Sequence, residues 1–365
     1  MKKFLALLIF VLFIPQPLNA ATEVRLVSTP HRLFDGTFRN DELAADLLPD
    51  GRLGKLIFSP VRGSRTWVID PELIDEIVDM SDGYKVARKG EASGQDAAKK
   101  FISQFQSISQ RDRIVALPYG NPDPSLTQRL APSELRFYYS YGQIVLQGHL
   151  GRSVSAERGW SHGKSFASFP QRAEYTKNRQ AISRLLRVVP ETQLNPIRAK
   201  LALLLSPKLN KDDRKFFYYQ AGLSVLETQK KLRISSGKYQ LTSEKSKMPI
   251  TLVNEFDAPI TVHVQLIPMS YRVTVQNIAD VTIEPKSRLQ LSVPFTVLAP
   301  GPTTIIAQLA DQKGVVVSIP AELAVNATII DSRVAWFTTA AGILLLIAGI
   351  TQSVRRVRKV RHEGS

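Results

Sequence analysis

The sequence predicts four parts: an α/β N-terminal domain (a partial barrel or open sheet), a helical linker region, an all-β immunoglobulin-like sandwich and one C-terminal transmembrane helix. Three observations carry this. Short apolar runs in the first part end in Asp-Pro or proline-rich loops and lead into helical periodicity. Period-two alternation fills residues 232–329. A charge-free apolar stretch then precedes a cluster of arginines near the end of the chain.

Residues 1–20 have the make-up of a secretory signal: Lys2 and Lys3, the apolar run Phe4–Ile14, then Pro15, Pro17 and, at the expected cleavage point, the small pair Ala20-Ala21. The reduced α/β domain follows over residues 21–170. Leu56-Ile57-Phe58 and Thr66-Trp67-Val68-Ile69 are apolar runs of buried-strand type. After the second run, Asp70-Pro71-Glu72 supplies a cap, a first helical residue and an acidic first turn. Leu73, Ile74, Ile77 and Val78 then recur at helical spacing. Residues 96–106 read as an amphipathic helix. The unit repeats at Ile114–Leu117, followed by a loop through Tyr119 and Asn121 to the cap Asp123-Pro124. Two strand–loop–helix units predict a parallel sheet with its functional loops at the carboxyl ends of the strands.

Residues 171–231 form a basic helical region with 13 Lys or Arg against 5 Asp or Glu, punctuated by Pro190 and Pro196. Over residues 232–329, Ile260, Val262, Val264 and Leu266 alternate with polar residues, as do Leu289, Leu291, Val293 and Phe295. Val315, Val317 and Ile319 suggest a further strand. About seven short strands separated by turn signals predict the sandwich. Residues 334–354 form an apolar segment expected to cross a membrane once. The basic tail, 355–365, is then expected on the cytoplasmic side and the N-terminal part outside.

The formal net charge is +16. For an exported chain this argues against nucleic acid and for an anionic wall polymer, acidic lipid or the cytoplasmic membrane itself as partner. The chain has no cysteine, so its stability must come from its cores and thiolate chemistry is excluded. The five histidines, His31, His149, His162, His263 and His362, show no metal-ligand spacing. No metal and no other cofactor is expected.

Asp70 and Asp123 are the candidate catalytic carboxylates, because each falls where an α/β sheet presents ligand groups. Paired carboxylates can act as acid and base on a glycosidic bond. The plainer reading makes both of them helix caps. Tyr119 and Asn121 are candidate ligand-binding residues of the same loop. Phe137-Tyr138-Tyr139-Ser140-Tyr141 suits stacking on sugar rings or, more plainly, a half-buried strand. Arg184, Arg187, Arg198 and Lys200 are the candidate anionic-polymer surface; the plainer reading is a solvated helix face. Residues 158–165 (RGWSHGKS) look like a phosphate loop, but Gly159 stands one residue too close to Gly163-Lys164-Ser165.

The chain resembles a family of actinobacterial envelope proteins known as a domain of unknown function. The N-terminal resemblance rests on Pro30-His31-Arg32-Leu33, Asp35-Gly36-Thr37-Phe38, Asp41-Glu42-Leu43-Ala44, Thr66–Pro71, Gly83-Tyr84 and Leu117-Pro118-Tyr119. The C-terminal resemblance rests on Met248–Asn254, Pro259–Val262 and the apolar segment with its arginine-rich tail. The resemblance implies a signal, a sugar-hydrolase- or deacetylase-like barrel, a sandwich and one anchor. It also implies a role in wall assembly near the lipid II flippase machinery. This sequence departs from the pattern in length: a complete eight-stranded barrel does not fit between Ala21 and Pro170. Barrel active sites draw residues from several strand ends, so a shortened barrel weighs against inherited catalysis. The expected function is a membrane-anchored, extracytoplasmic binding or scaffolding protein linked to cell-wall assembly. The alternative is a carbohydrate-active hydrolase or deacetylase acting on a wall polymer.

Overall fold

The structure, a computed structural model, describes residues 21–87, 90–328 and 332–362. The signal segment expected over residues 1–20 lies outside the described residues. Two compact units divide the chain, Met1–Asn178 with Asn195–Ser224, and Arg179–Leu194 with Val225–Ser365. The basic helical stretch is therefore shared between the two units and is not a separate linker.

The first unit is built on three parallel strands in the order β1 (Thr22–Leu26), β2 (Arg65–Ile69) and β3 (Arg113–Ala116). Val24, Trp67 and Ile114 share one register row. A parallel bridge from Val115 to Ser155 adds one rung beyond β3, which extends the curl of a half-barrel. After their leading arginines, β2 and β3 are buried on both faces, as in a covered parallel sheet, whereas the edge strand β1 alternates, with Val24 and Leu26 buried and Glu23 exposed. On one face Trp67 belongs to a core cluster that includes Leu43, Leu53, Ile77, Phe101 and Phe105. Trp67 and Phe105 meet edge to face at 5.2 Å, and the indole N–H donates to Asp112 at 2.8 Å. The ring is thus buried without stranding its donor. On the other face Val68, Val115 and Leu117 form a smaller cluster.

Helices flank these strands: α1 (Glu42–Leu47), α2 (Arg52–Phe58), α3 (Pro71–Asp82), α4 (Gln95–Ser109), α5 (Pro124–Leu130) and α6 (Pro132–Leu150). Two expected strands are helical. Leu56-Ile57-Phe58 closes α2, where Leu53 and Ile57, four apart, face the core. Gly54 is required there, since a Cβ would come within 1.7 Å of the Leu48 carbonyl. Residues 137–141 lie in α6, whose buried residues Leu135, Tyr138, Gly142 and Leu146 follow helical spacing. Aromatic enrichment suggested a strand, but burial at intervals of three and four decided the helix. A Cβ on Gly142 would stand 2.9 Å from the Tyr119 amide nitrogen, so α6 lies against the loop after β3.

The chain continues through α7 (Phe169–Leu185), α8 (Glu191–Lys200), a 3-10 helix over Leu201–Leu205 and α9 (Lys211–Lys230). Leu201 through Leu205 are all buried.

The second unit is a two-sheet β domain. One sheet runs β4 (Leu232–Ile234), β6 (Lys245–Asn254), β10 (Ser287–Val297) and β8 (Val273–Val275). The other runs β5 (Gly237–Leu241), β12 (Ala321–Ala327), β11 (Gly301–Ala310), β7 (Ile260–Pro268) and β9 (Ile278–Ile283). Ile260, Val262, Val264 and Leu266 are buried in alternation, whereas Leu289 and Leu291 are only half-buried. Residues 315–319 form no strand. Asp311 Oδ1 accepts from the Lys313 and Val315 amides and holds a turn, leaving one bridge from Ala310 to Val316. Asn254 is fully buried at the end of β6. Its amide donates to the carbonyls of Ala258, Ile283 and Glu284 at 2.9, 3.1 and 3.0 Å.

The last element is α10 (Ser332–His362). Among the described residues no helix is long and apolar enough to cross a membrane, which corrects the transmembrane helix expected over residues 334–354. Thr338-Thr339 and Thr351-Gln352 interrupt the apolar run. The residues between them rise about 16 Å, against a hydrocarbon core of about 30 Å.

Candidate functional site

The carboxyl ends of the three parallel strands carry most of the polar chemistry of the first unit. Asp70 follows β2 and caps α3. Its Oδ1 accepts from the Glu72 amide at 3.1 Å and the Gly120 amide at 3.0 Å, tying the ends of β2 and β3 together. Gly120 has φ +70°, and a Cβ there would stand 2.8 Å from Leu203 Cδ2. Burial, with the Glu72 charge, pushes the Asp70 carboxyl well above its usual range despite those two amides.

Asp123 caps α5 with Oδ1 on the Leu126 amide at 2.9 Å. Its Oδ2 accepts from the Ser165 amide at 2.9 Å, and its own amide donates to the Leu205 carbonyl. Asn121 takes the left-handed conformation, φ 42°, and its Oδ1 accepts from the Ser161 hydroxyl at 2.7 Å. The structure thus joins Asn121 and Asp123 to the segment 161–165, while Asp70 and Tyr119 turn toward α3.

The Tyr119 hydroxyl donates to Asp75 Oδ2 at 2.8 Å and belongs to a buried charge cluster that sequence reasoning missed. Glu72, Asp75, Glu76 and Asp79 line one face of α3 at helical spacing, opposite Leu73, Ile74 and Ile77. That acidic stripe was visible in the sequence. What was not visible is that it meets Arg32 of the Pro-His-Arg-Leu segment.

Arg32 Nη2 lies 2.5 Å from Asp75 Oδ2 and 3.9 Å from Glu72, and Nη1 bonds Asp79. Burial works against the Arg32 charge, but Tyr119 and the carboxylates of Asp75, Glu72 and Asp79 hold it more firmly than water would. The amides of His31 and Arg32 donate to Glu76 Oε1 at 2.8 and 2.6 Å. His149 Nε2 lies 2.9 Å from Asp75 Oδ1. Burial would raise the Asp75 carboxyl, yet His149, Arg32 and Tyr119 hold it well below the usual range.

Glu72 and Glu76 go the other way. Burial, with the Glu76 charge, keeps Glu72 well above its usual range. Burial pushes Glu76 up to about 7 against Arg32 and the two amides. Glu72 Oε1 and Glu76 Oε2 are buried with no hydrogen-bond donor. One proton on the pair supplies the missing donor. The cluster is an electrostatic clamp that joins the segment after β1, α3, the loop after β3 and the end of α6.

Three of the four cations expected to form a polymer surface are engaged within their own units. Arg198 holds the buried Glu134 with two bonds and lies 3.9 Å over the Phe137 ring. Lys200 donates to the Leu33 carbonyl at 3.3 Å, and burial, with the Arg32 charge, lowers its ammonium pKa. Arg187 pairs with Asp311 at 2.5 Å. Arg184 is exposed. The aromatic run is also engaged within the fold: Phe137 stacks on Tyr141 at 5.4 Å, and Tyr138 shares a hydrogen bond with Tyr175 at 3.0 Å.

Two clefts open beside these loops. One, about 560 Å³, lies past β1 and is lined by Thr29, His31, Glu42, Asp46, Arg52 and Lys208. The other, about 650 Å³, lies past β3, where Arg129, His162, Lys164 and Arg172 surround Asp123. Among the described residues no three His, Asp or Glu side chains are grouped to hold a metal ion.

No curated protein matches the chain. Solved structures resemble part of it. An MSP family member of C. elegans is 12% identical over 27% of this chain and 98% of that chain, with a TM-score of 0.21. A human ASH/PapD-like domain is 12% identical over 28% of this chain and 87% of that chain, with a TM-score of 0.21. The α2-macroglobulin of E. coli is 18% identical over 27% of this chain and 6% of that chain, with a TM-score of 0.22. At these scores the likenesses carry no argument about function. The family described as "Family of unknown function (DUF6049)" matches residues 152–361, more than half of the chain, and the chain belongs to that family.

Proposed function

We propose that this protein is a binding or scaffolding component of the bacterial cell envelope that holds an anionic wall polymer without cleaving it. The observation that carries this reading is the engagement of both candidate catalytic carboxylates by backbone amides. Asp70 is held by Glu72 and Gly120, and Asp123 by Leu126 and Ser165. A glycosidase needs one carboxyl group free to give a proton and another free to attack or to activate water. Each of these aspartates is instead a helix cap that also ties down a second segment. The net charge of +16 supports an anionic partner. The link to wall assembly and the lipid II flippase machinery rests on the envelope-family resemblance.

The test is cosedimentation of the full chain with purified bacterial walls across a salt series, with sugar and acetate release assayed in parallel. Binding that weakens as salt rises, with no release, is the expected result. Turnover that Asp70→Asn abolishes would replace this reading with the hydrolase or deacetylase alternative.

A further inference from the structure

We infer that the cleft past β3 is an oxyanion-binding site that takes an acidic sugar unit of a polymer. The inference rests on the binding reading above and names the place where binding occurs. Arg129, Lys164 and Arg172 line this cleft, and none has an ion-pair partner among the described residues. The one carboxylate in the lining is Asp123. Both of its oxygens already accept backbone amides, so it is turned into the protein. The cleft therefore offers three cations and one satisfied anion. Two of the cations are guanidiniums, whose planar forks suit carboxylate or phosphate oxygens.

The wall of the cleft is already in place before any ligand arrives. The Ser161 hydroxyl is held by Asn121 and the Ser165 amide by Asp123. Gly163 has φ +114°, and a Cβ there would stand 2.9 Å from the Pro207 ring, so the loop presses on Pro207. A loop pinned at three points loses little freedom on binding. This gives Asn121 and Asp123 a role that neither catalysis nor capping alone supplies: they position the segment that carries Lys164.

Size and shape indicate the occupant. About 650 Å³ falls in the range of small-molecule sites and suits one or two sugar units. A concave, cationic cleft does not match the flat surface of a membrane, which takes an amphipathic face. Phe166 and Phe169, 80% and 76% exposed, sit in the same stretch as the lining residues Ser165, Ala167 and Arg172. Exposed rings on the segment that supplies the lining suit a ligand with both an apolar face and an acidic group. A uronic-acid or phosphorylated sugar residue has both.

The experiment titrates the full chain with polygalacturonate, inorganic phosphate, neutral dextran and vesicles of anionic phospholipid. Saturable binding of polygalacturonate, with dextran silent, is expected. Arg129→Glu, Lys164→Glu and Arg172→Gln should each weaken it about tenfold, as expected for loss of a charge-assisted hydrogen bond. Phe166→Ala should weaken polygalacturonate but leave phosphate unchanged. Arg184→Glu should do neither. Arg129 and Lys164 are exposed, so these two variants should fold normally, and far-ultraviolet circular dichroism checks this. Phosphate binding as tight as that of the polymer would overturn the sugar assignment. Vesicle binding lost in the same variants, with polygalacturonate inert, would assign the cleft to lipid headgroups and overturn the inference. Wall binding that survives the combined cleft variant would remove the cleft and leave the binding reading standing. A wild-type chain that does not bind walls would remove both.

Discussion

Arg198 bonds Glu134 through Nε to Oε2 at 2.8 Å and Nη2 to Oε1 at 3.0 Å, with Phe137 stacked beneath its guanidinium at 3.9 Å. Glu134 is only 3% exposed, so the pair lies inside the fold of the first unit. A cation that the composition assigned to a surface is a structural strut.

Arg198→Glu should therefore destabilise the first unit by roughly 3–5 kcal/mol, because it leaves Glu134 buried without a partner and adds a like charge. Arg198→Lys should lose a smaller amount, since an ammonium cannot replace the fork or the stack. Urea denaturation followed by tryptophan fluorescence reads both. A midpoint unchanged in Arg198→Glu would show the pair to be idle.

The Glu72–Glu76 pair gives stability a pH dependence with a defined sign. Glu76 titrates near 7 in the fold and near its ordinary 4.5 when unfolded, so the fold binds the proton more tightly. Its contribution is complete below pH 4.5 and is lost as pH rises through 7, on the order of 3 kcal/mol. His31, whose pKa burial lowers, acts in the opposite sense over part of this window. The comparison of wild type with Glu76→Gln therefore isolates the pair. The glutamine keeps an oxygen for the His31 and Arg32 amides and supplies a permanent donor. Its stability relative to wild type should rise between pH 4.5 and 7. Parallel pH profiles of the two proteins in chemical denaturation would refute the shared proton.

In the β domain, Val262→Asp and Leu291→Asp should differ although both lie on apolar-alternating strands. Val262 is fully buried on β7, whereas Leu291 is half-buried on β10. The first substitution places an unpaired charge in the core and should cost several kcal/mol, enough to unfold the domain. The second should lower the thermal midpoint modestly. Circular dichroism melts of the full chain distinguish them, and equal losses would show that the half-buried face of β10 is covered in solution.

Much of the local structure was legible in the sequence. Asp70-Pro71 and Asp123-Pro124 mark helix starts because capping is a local property: the side chain reaches an amide two or three residues ahead. The alternation in Ile260–Leu266 reads as a strand because burial of one face repeats every second residue. Short apolar runs were less legible. Leu56-Ile57-Phe58 and the aromatic run 137–141 fit either period over so few residues, and only the faces they bury decide between strand and helix.

By itself the sequence determined the helix caps, two of the three strands of the half-barrel, most of the period-two strands and the acidic stripe of α3, since each depends on neighbours within one or two turns; the edge strand β1, with Glu23 and Arg25 in it, gave no apolar run to read. Tertiary structure alone decided which charges work in pairs. Arg32 meets carboxylates more than forty residues away, Arg198 reaches back to Glu134, and the cations of the cleft come from α5, the loop at 164 and α7. A charge in a sequence has no fixed role, because its energy depends on burial and on whatever the fold brings within a few ångströms. For that reason Asp70, Arg198 and Lys200 became parts of the scaffold, while Arg129, Lys164 and the half-buried Arg172 line the cleft without an ion-pair partner among the described residues.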